Sequence, residues 1–337
     1  MGTQVVVIGG GVAGLAGATS ITRMGYDVTL IEREATVGGQ VARWARVFPT
    51  GRRAEEIIDS LREGLDGVQA LTESRVSGFA GDPGRFRLEV NGTQLEAAAI
   101  LVAVGYQPFD PSVKEEYGYG VYPDVVSSVE LEAMLKADRL RVPSTGAVPE
   151  TVAINHCVGS RDEKVGNLYC SRVCCTYGIH QAVEIRERHP GTSVFCFYMD
   201  IRTYGRGFEE LYRGAQKEFG VEFIRGRIAD VQEEGHRLLI RAEDTLSSSP
   251  LRMHVDLLSL SVGMVPAQGA GKLGELLGLE FGEDGFFKVR DPHLHPNEST
   301  VPGIFLAGAA SGPKGITESI TDGRAAAAAI GGFLRGA

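Results

Sequence analysis

No uninterrupted apolar run in this sequence reaches the roughly 20 residues that a membrane-spanning helix needs. The first strand signal begins almost at Met1, leaving no room for a charged and apolar leader, so no membrane span and a cytoplasmic setting are expected. Basic residues are in deficit: 34 Lys and Arg against 43 Asp and Glu give a net charge of -9, which argues against a nucleic-acid partner. The seven histidines form no metal-binding pair by spacing, and the single tryptophan, Trp44, reads as core. Five cysteines in a chain expected to be cytoplasmic do not make a disulfide framework, because that compartment keeps thiols reduced. Two further absences matter more. No C-x2-C-x2-C ferredoxin run occurs, and Gly-x-Gly-x-x-Gly is missing from the turn that opens the second α/β module, where a chain with two dinucleotide-binding modules carries it again.

What is present is a 337-residue chain with 43% hydrophobic and 23% charged residues, enough for two or three globular domains. Gln4 to Ile8 reads as a buried strand, followed by Gly9-Gly10-Gly11-Val12-Ala13-Gly14, a helical run, and a second strand that ends at Glu32. Gly9 permits the tight turn, Gly11 opens the backbone to a pyrophosphate, and Gly14 packs the helix close to the strands. Val12 and Ala13 open that helix, and Glu32 is placed to accept from ribose hydroxyls, with Arg33 beside it. Gly38, Gly39, Gln40 and Val41 follow shortly, a pairing typical of FAD proteins, so FAD is the expected dinucleotide. A strand over 94–104 runs into Gly105 and Pro108, and the stretch between, around 68–96, suggests a β-meander.

Residues 256–266 repeat the pattern of 99–108, so the architecture reads as duplicated. The expected fold is α/β: a Rossmann-like FAD domain over 1–110 and 267–337, a connecting segment 111–150, and an inserted NAD-domain-like module over 151–266. The module's first turn is His156-Cys157-Val158-Gly159-Ser160-Arg161, with one glycine, so NAD(P)H is not expected there. The chain closes through Gly308 and Ala309, where flavin reductases usually have Gly-Asp. Lys314, Gly315 and Ile316 then open an Ala-rich helix, whose dipole, with Lys314, could stabilise a reduced flavin; a solvated turn is the plainer reading of Lys314.

Cys157, Cys170, Cys174 and Cys175 fall within nineteen residues. Four thiolates suit a [4Fe-4S] cluster, and the adjacent pair fits a multi-iron cage better than one tetrahedral zinc. Ser171 reads as an N-cap that puts Cys174 and Cys175 in the first turn of a helix. A redox-active vicinal thiol pair and a buried structural group are the competing readings, and Cys196 reads as a buried hydrophobe. His156 stands next to Cys157, where it could tune a cluster or simply pack.

Cys157 to Asp162, Tyr169 to Cys175, Phe197 to Arg202, and Gly308 through Lys314 together resemble the A subunit of heterodisulfide reductase and its homologues in sulfur-oxidising bacteria. The resemblance covers nearly the whole chain, in a short form without ferredoxin modules. It implies an A-subunit homodimer carrying FAD and one [4Fe-4S] cluster per chain, held by the four cysteines. The dimer would exchange electrons with partner subunits that handle thiols or disulfides. Two other functions compete: a stand-alone NAD(P)H-dependent disulfide reductase of thioredoxin-reductase type using Cys174 and Cys175, and a flavin redox sensor or scaffold without turnover.

Overall fold

The computed structural model describes residues 4–336. Its contacts divide into two compact units, one of Met1–Arg43, Ala54–Gln107 and Val265–Ala337, the other of Trp44–Arg53 and Pro108–Met264.

The first unit is built on a seven-stranded sheet. Five strands run parallel in the order Val68–Leu71, Asp27–Ile31, Gln4–Ile8, Ala99–Val102 and Ile304–Leu306, and His295–Ser299 and Val289–Asp291 add an antiparallel edge. Val5, Val6 and Val7 are wholly buried, as expected for a central parallel strand covered on both faces. Helices Val12–Arg23 and Ile316–Gly336 pack closely because their contact residues are small: a methyl added at Gly323 would lie 2.1 Å from Ala13 O. The strand expected over 94–104 breaks at Ala98 into Thr93–Ala97 and Ala99–Val102. Its first half pairs in a three-stranded meander with Val76–Asp82 and Arg85–Val90, and its second half joins the parallel sheet. Arg85–Val90 alternates exposed and buried side chains, which sends Phe86, Leu88 and Val90 into the core.

The second unit holds an all-parallel sheet in the order Val125–Ser127, Leu257–Val262, Thr151–Val158, Ser193–Tyr198, Glu222–Arg225. Helices Ser128–Lys136, Cys174–Arg188 and Phe208–Lys217 complete it, with an antiparallel sheet of Ile228–Glu234, Arg237–Asp244 and Ser249–Val255. Residues 111–150, read from sequence as a connector, supply the strand Val125–Ser127 and a helix closed by a Ser127/Glu130 capping box. The excursion Trp44–Arg53 also belongs here, and Trp44 meets Tyr177 edge-on at 5.8 Å between ring centres. Among the described residues, no helix is long and apolar enough to cross a membrane.

Candidate functional site

In the first unit the loop after Gln4–Ile8 is dictated by contact distances. Gly9 adopts a φ of 108°, and a methyl there would come 2.4 Å from Ala103 O. A methyl at Gly14 would lie 1.9 Å from Gly9 O. Gly11 differs: nothing approaches its Cβ position closer than Gly39 Cα at 4.0 Å, so its face is open. The N–H groups at the start of Val12–Arg23, those of Val12 and Ala13, have no intrahelical acceptor and suit an anion.

Glu32 is buried, and its carboxylate accepts from Gly10 N (2.6 Å) and Glu34 N (2.9 Å), which ties the acidic position to the loop and leaves lone pairs for a hydroxyl donor. Gly38 N donates to Gly10 O (2.7 Å), and Gly39 begins a short 3-10 turn through Gln40 and Val41, so these glycines stack on the loop. Arg33 is turned to Gln268 O (2.9 Å) and Glu34. Gly105 has a φ of 69° and open space at its Cβ position.

At the far end of the chain, sequence reading missed Asp322. Its carboxylate accepts from Gly308 N (2.9 Å) and Asn297 Nδ2 (2.6 Å) and pairs with Lys314 Nζ (3.3 Å). Lys314 also donates to Gly308 O (2.9 Å) and Ser311 Oγ (2.7 Å), so it is not a solvated turn residue. Ala309 is buried beside this group, and Gly315 N donates to Glu318 at the start of the helix that opens with Ile316. No motif spacing marks Asp322; a carboxylate two turns into an Ala-rich helix was the available signal.

In the second unit the penultimate residue of the strand Thr151–Val158, Cys157, has a φ of 63°, in the left-handed region that side chains rarely adopt. Gly159 follows at a φ of 70°, and a methyl there would lie 2.1 Å from the Phe109 ring, so the turn is closed rather than open to phosphate. A loop then doubles back. Arg161 N donates to Tyr169 O (2.9 Å), Asp162 and Asn167 exchange backbone bonds, and Ser171 N donates to Ser160 Oγ (2.9 Å). Buried Lys114 pins the loop through Asp162 at 2.7 Å and Glu116 at 2.9 Å.

The cysteine helix begins at Cys174 with Val173 ahead of it, and Cys175 is in its first turn. Ser171 is not its N-cap: the Ser171 hydroxyl accepts from Met264 N (2.9 Å), because the loop closure draws it away from the helix end.

Three of the four thiols come together. Cys157 Sγ lies 3.8 Å from Cys174 Sγ, Cys175 follows Cys174 in the same helical turn and acts on it electrostatically, and all three are buried. The proton of Cys174 serves its neighbours, which lowers the Cys157 thiol and takes the Cys175 thiol down to about 7, while Cys174 itself is driven up. Cys175 Sγ also accepts from Arg202 N (3.4 Å). Cys170 is half-buried, and its sulfur accepts from Arg172 N (3.3 Å) instead of meeting another sulfur. Among the described residues, no three ligands converge on one metal ion.

That geometry disfavours a single zinc, but a four-iron cage is ligated at its corners and needs no shared centre. The donor chemistry fits such a cage: neighbouring thiols with lowered protonation, backbone N–H groups on two sulfurs, and arginine charge around them. Arg161, Arg202 and Arg225 all act on Asp200, and Arg227 acts on Cys157. Cys196 is fully buried and burial drives its thiol up, as its apolar strand requires. His156 is buried, with Nδ1 3.2 Å from Cys174 O, and burial takes it down to about 4, so it is neutral.

Residues 3–143 match the family described as pyridine nucleotide-disulphide oxidoreductase. Among curated proteins, the iron-sulfur A subunit of CoB--CoM heterodisulfide reductase from Methanocaldococcus jannaschii is 34% identical, over 96% of this chain and 63% of that protein. A second such protein, from Methanopyrus kandleri, has the same identity and coverage. The chain therefore spans a little under two thirds of these relatives. The aligned span of 416 positions exceeds the chain's 337 residues, so the relatives carry inserted segments that this chain lacks. Among solved structures, thioredoxin reductase from T. acidophilum gives a TM-score of 0.70 at 16% identity over 98% of both chains. The Lactococcus lactis thioredoxin reductase gives 0.69 at 19% over 99% of both. At such identity the likeness establishes the fold alone, an α/β chain with two units each built on a parallel sheet.

Proposed function

The chain belongs to the heterodisulfide reductase A-subunit family, and on that premise we propose that it is an FAD- and [4Fe-4S]-dependent electron-transfer subunit of a heterodisulfide-reductase-like complex. One observation carries the reading. Where a second phosphate loop would stand, the chain has a closed turn with Cys157, Cys174 and Cys175 buried together.

When bound, FAD supplies paired-electron redox chemistry and the iron-sulfur cage supplies single-electron transfer. The protein's part is binding and electrostatics. The open face at Gly11 and the N–H groups of Val12 and Ala13 would hold the pyrophosphate, and Glu32 the ribose. The Gly308–Ala309 turn and Lys314, oriented by Asp322, would stand along the remainder of the cofactor. Cys157, Cys170, Cys174 and Cys175 would ligate the cage, with the Arg202 and Arg172 N–H groups stabilising thiolate charge on Cys175 and Cys170. Sulfur oxidation in the cytoplasm, through a homodimer that serves thiol- or disulfide-handling partner subunits, is the physiological setting proposed.

Anaerobic purification followed by reconstitution tests this. About four iron and four acid-labile sulfide per chain, with one FAD, are expected. A reconstituted chain with flavin but no iron overturns it.

One observation favours a second reading. The 3.8 Å approach of Cys157 and Cys174 suits a dithiol that closes to a disulfide, and it differs from the vicinal pair expected for a thioredoxin-reductase-like enzyme. Both sulfurs are at most 3% exposed, which denies a disulfide substrate access to them. Rapid flavin reduction by NADPH alone would favour this alternative.

A further inference from the structure

Arg161 is tied down at three points. Its backbone N–H donates to Tyr169 O (2.9 Å), its carbonyl accepts from Arg227 Nη2 (3.3 Å), and its own Nη2 donates to Asp200 Oδ2 (2.9 Å). The other end of the guanidinium, Nη1, is buried and has no acceptor among the described residues. Leaving such a charged donor buried without an acceptor is unfavourable, so the position calls for a group that accepts from it. Besides Asp200, the groups with which Arg161 interacts electrostatically are sulfurs, those of Cys157, Cys170 and Cys175. Asp200 is shared with Arg225 at 3.7 Å, so it does not cancel the local positive charge.

We infer that Arg161 Nη1 donates to the sulfur cage and that Arg161, aligned by Asp200, is the residue that sets the cage's reduction potential. This rests on the cluster reading above. One-electron reduction adds a negative charge to the cage, and a fixed guanidinium beside it favours the reduced state. Arg161 is thus a positioning residue in the sulfur pocket and not a ligand.

The test is a dye-mediated potentiometric titration of the anaerobic, cofactor-loaded chain, read by electron paramagnetic resonance, with pulsed detection of exchangeable protons after transfer to D2O. Arg161→Gln should weaken reduction at least tenfold, about 59 mV for one electron, and lose one exchangeable-proton coupling. Arg161→Lys should recover much of the potential, because the charge stays, without restoring the guanidinium's coupling. Loaded variants that both keep the wild-type potential and coupling overturn the inference while leaving the cluster reading intact. Loss of iron from both variants also overturns it, since Arg161 would then be a structural requirement of the loop. A wild-type chain without iron is the separate result that removes the underlying reading.

Discussion

The two units start alike and then part. Each has a buried parallel strand, a turn, and a helix laid back on the sheet, but three residues separate Ile8 from the helix at Val12, whereas fifteen separate Val158 from the helix at Cys174. In the first turn, Gly9 and Gly10 are crowded at their Cβ positions while Gly11 has nothing closer than 4.0 Å, so its face is open. In the second, the one glycine of the turn is jammed against Phe109, and the added residues fold into a loop whose hydrogen bonds deliver thiols. Close helix–strand packing survives in both: Gly14 approaches Gly9 O, and a methyl at Gly178 would meet His156 Cε1 at 2.6 Å. The scaffold position is kept while what it presents changes from open backbone at Gly11 to buried thiols at Cys157, Cys174 and Cys175.

The sharpest break of that comparison is Cys174→Ser. Its sulfur stands between Cys157 and Cys175, so nearly all bound iron should be lost while about one flavin per chain remains, measured by iron analysis beside the flavin spectrum. Persistence of the iron spectrum would falsify the ligand assignment. The reciprocal change, Gly14→Val, forces a side chain into Gly9 O. It should destabilise the first unit by about 3 kcal/mol or more and release flavin. Iron bound by the second unit should be kept, read by the same two analyses together with thermal unfolding.

The first unit was legible because glycine, strand and acidic residue stand in one short register: Gly9, Gly11, Gly14 and Glu32 are nearly all that the loop needs. Parallel strands were legible too, since Gln4–Ile8 and Leu257–Val262 are almost continuously apolar. What failed depended on partners distant in sequence. Ser171 looked like a cap because its local pattern fits one, yet Met264 claims its hydroxyl. Asp322 and the arginines around Asp200 carry no spacing signature, since their meaning lies in what the fold brings beside them. The four cysteines were visible as a group, but not the approach of Cys157 to Cys174, since sequence alone singled out the neighbours Cys174 and Cys175 as the pair.

A milder contrast concerns acid. The helix Val12–Arg23 buries only apolar and glycine residues, whereas Cys174–Arg188 also buries Thr176, His180, Gln181 and Glu184. Burial, with the nearby Arg46 charge, takes His180 down to about 4 from its ordinary 6.5. The unfolded chain therefore takes up the proton first, so this contribution is complete above pH 6.5 and is lost as pH falls toward 4, by about 3 kcal/mol. Burial raises Glu184, which works the other way: it favours the fold as pH falls through its raised value toward 4.5. In the chain without iron, the second unit should unfold first on acidification, and His180→Gln should flatten the loss between pH 6.5 and 4, followed by thermal melts at each pH. A melt whose pH dependence is unchanged by that substitution would refute the assignment.

The smallest effect tests the first unit's far end. Asp322 accepts from Gly308 N and Asn297 Nδ2 and pairs with Lys314, so Asp322→Ala strands two donors and frees one ammonium. The cost should be about 1–3 kcal/mol, since one buried carboxylate served them together. Because Lys314 is also bonded to Gly308 O and Ser311 Oγ, it should stay near its place, and flavin should remain bound but dissociate faster. Asp322→Asn keeps an acceptor and loses only the charge, so its flavin release should fall between the two. If both variants release flavin at the wild-type rate, Asp322 braces the sheet edge through Asn297 and has no part in holding the cofactor end of the turn.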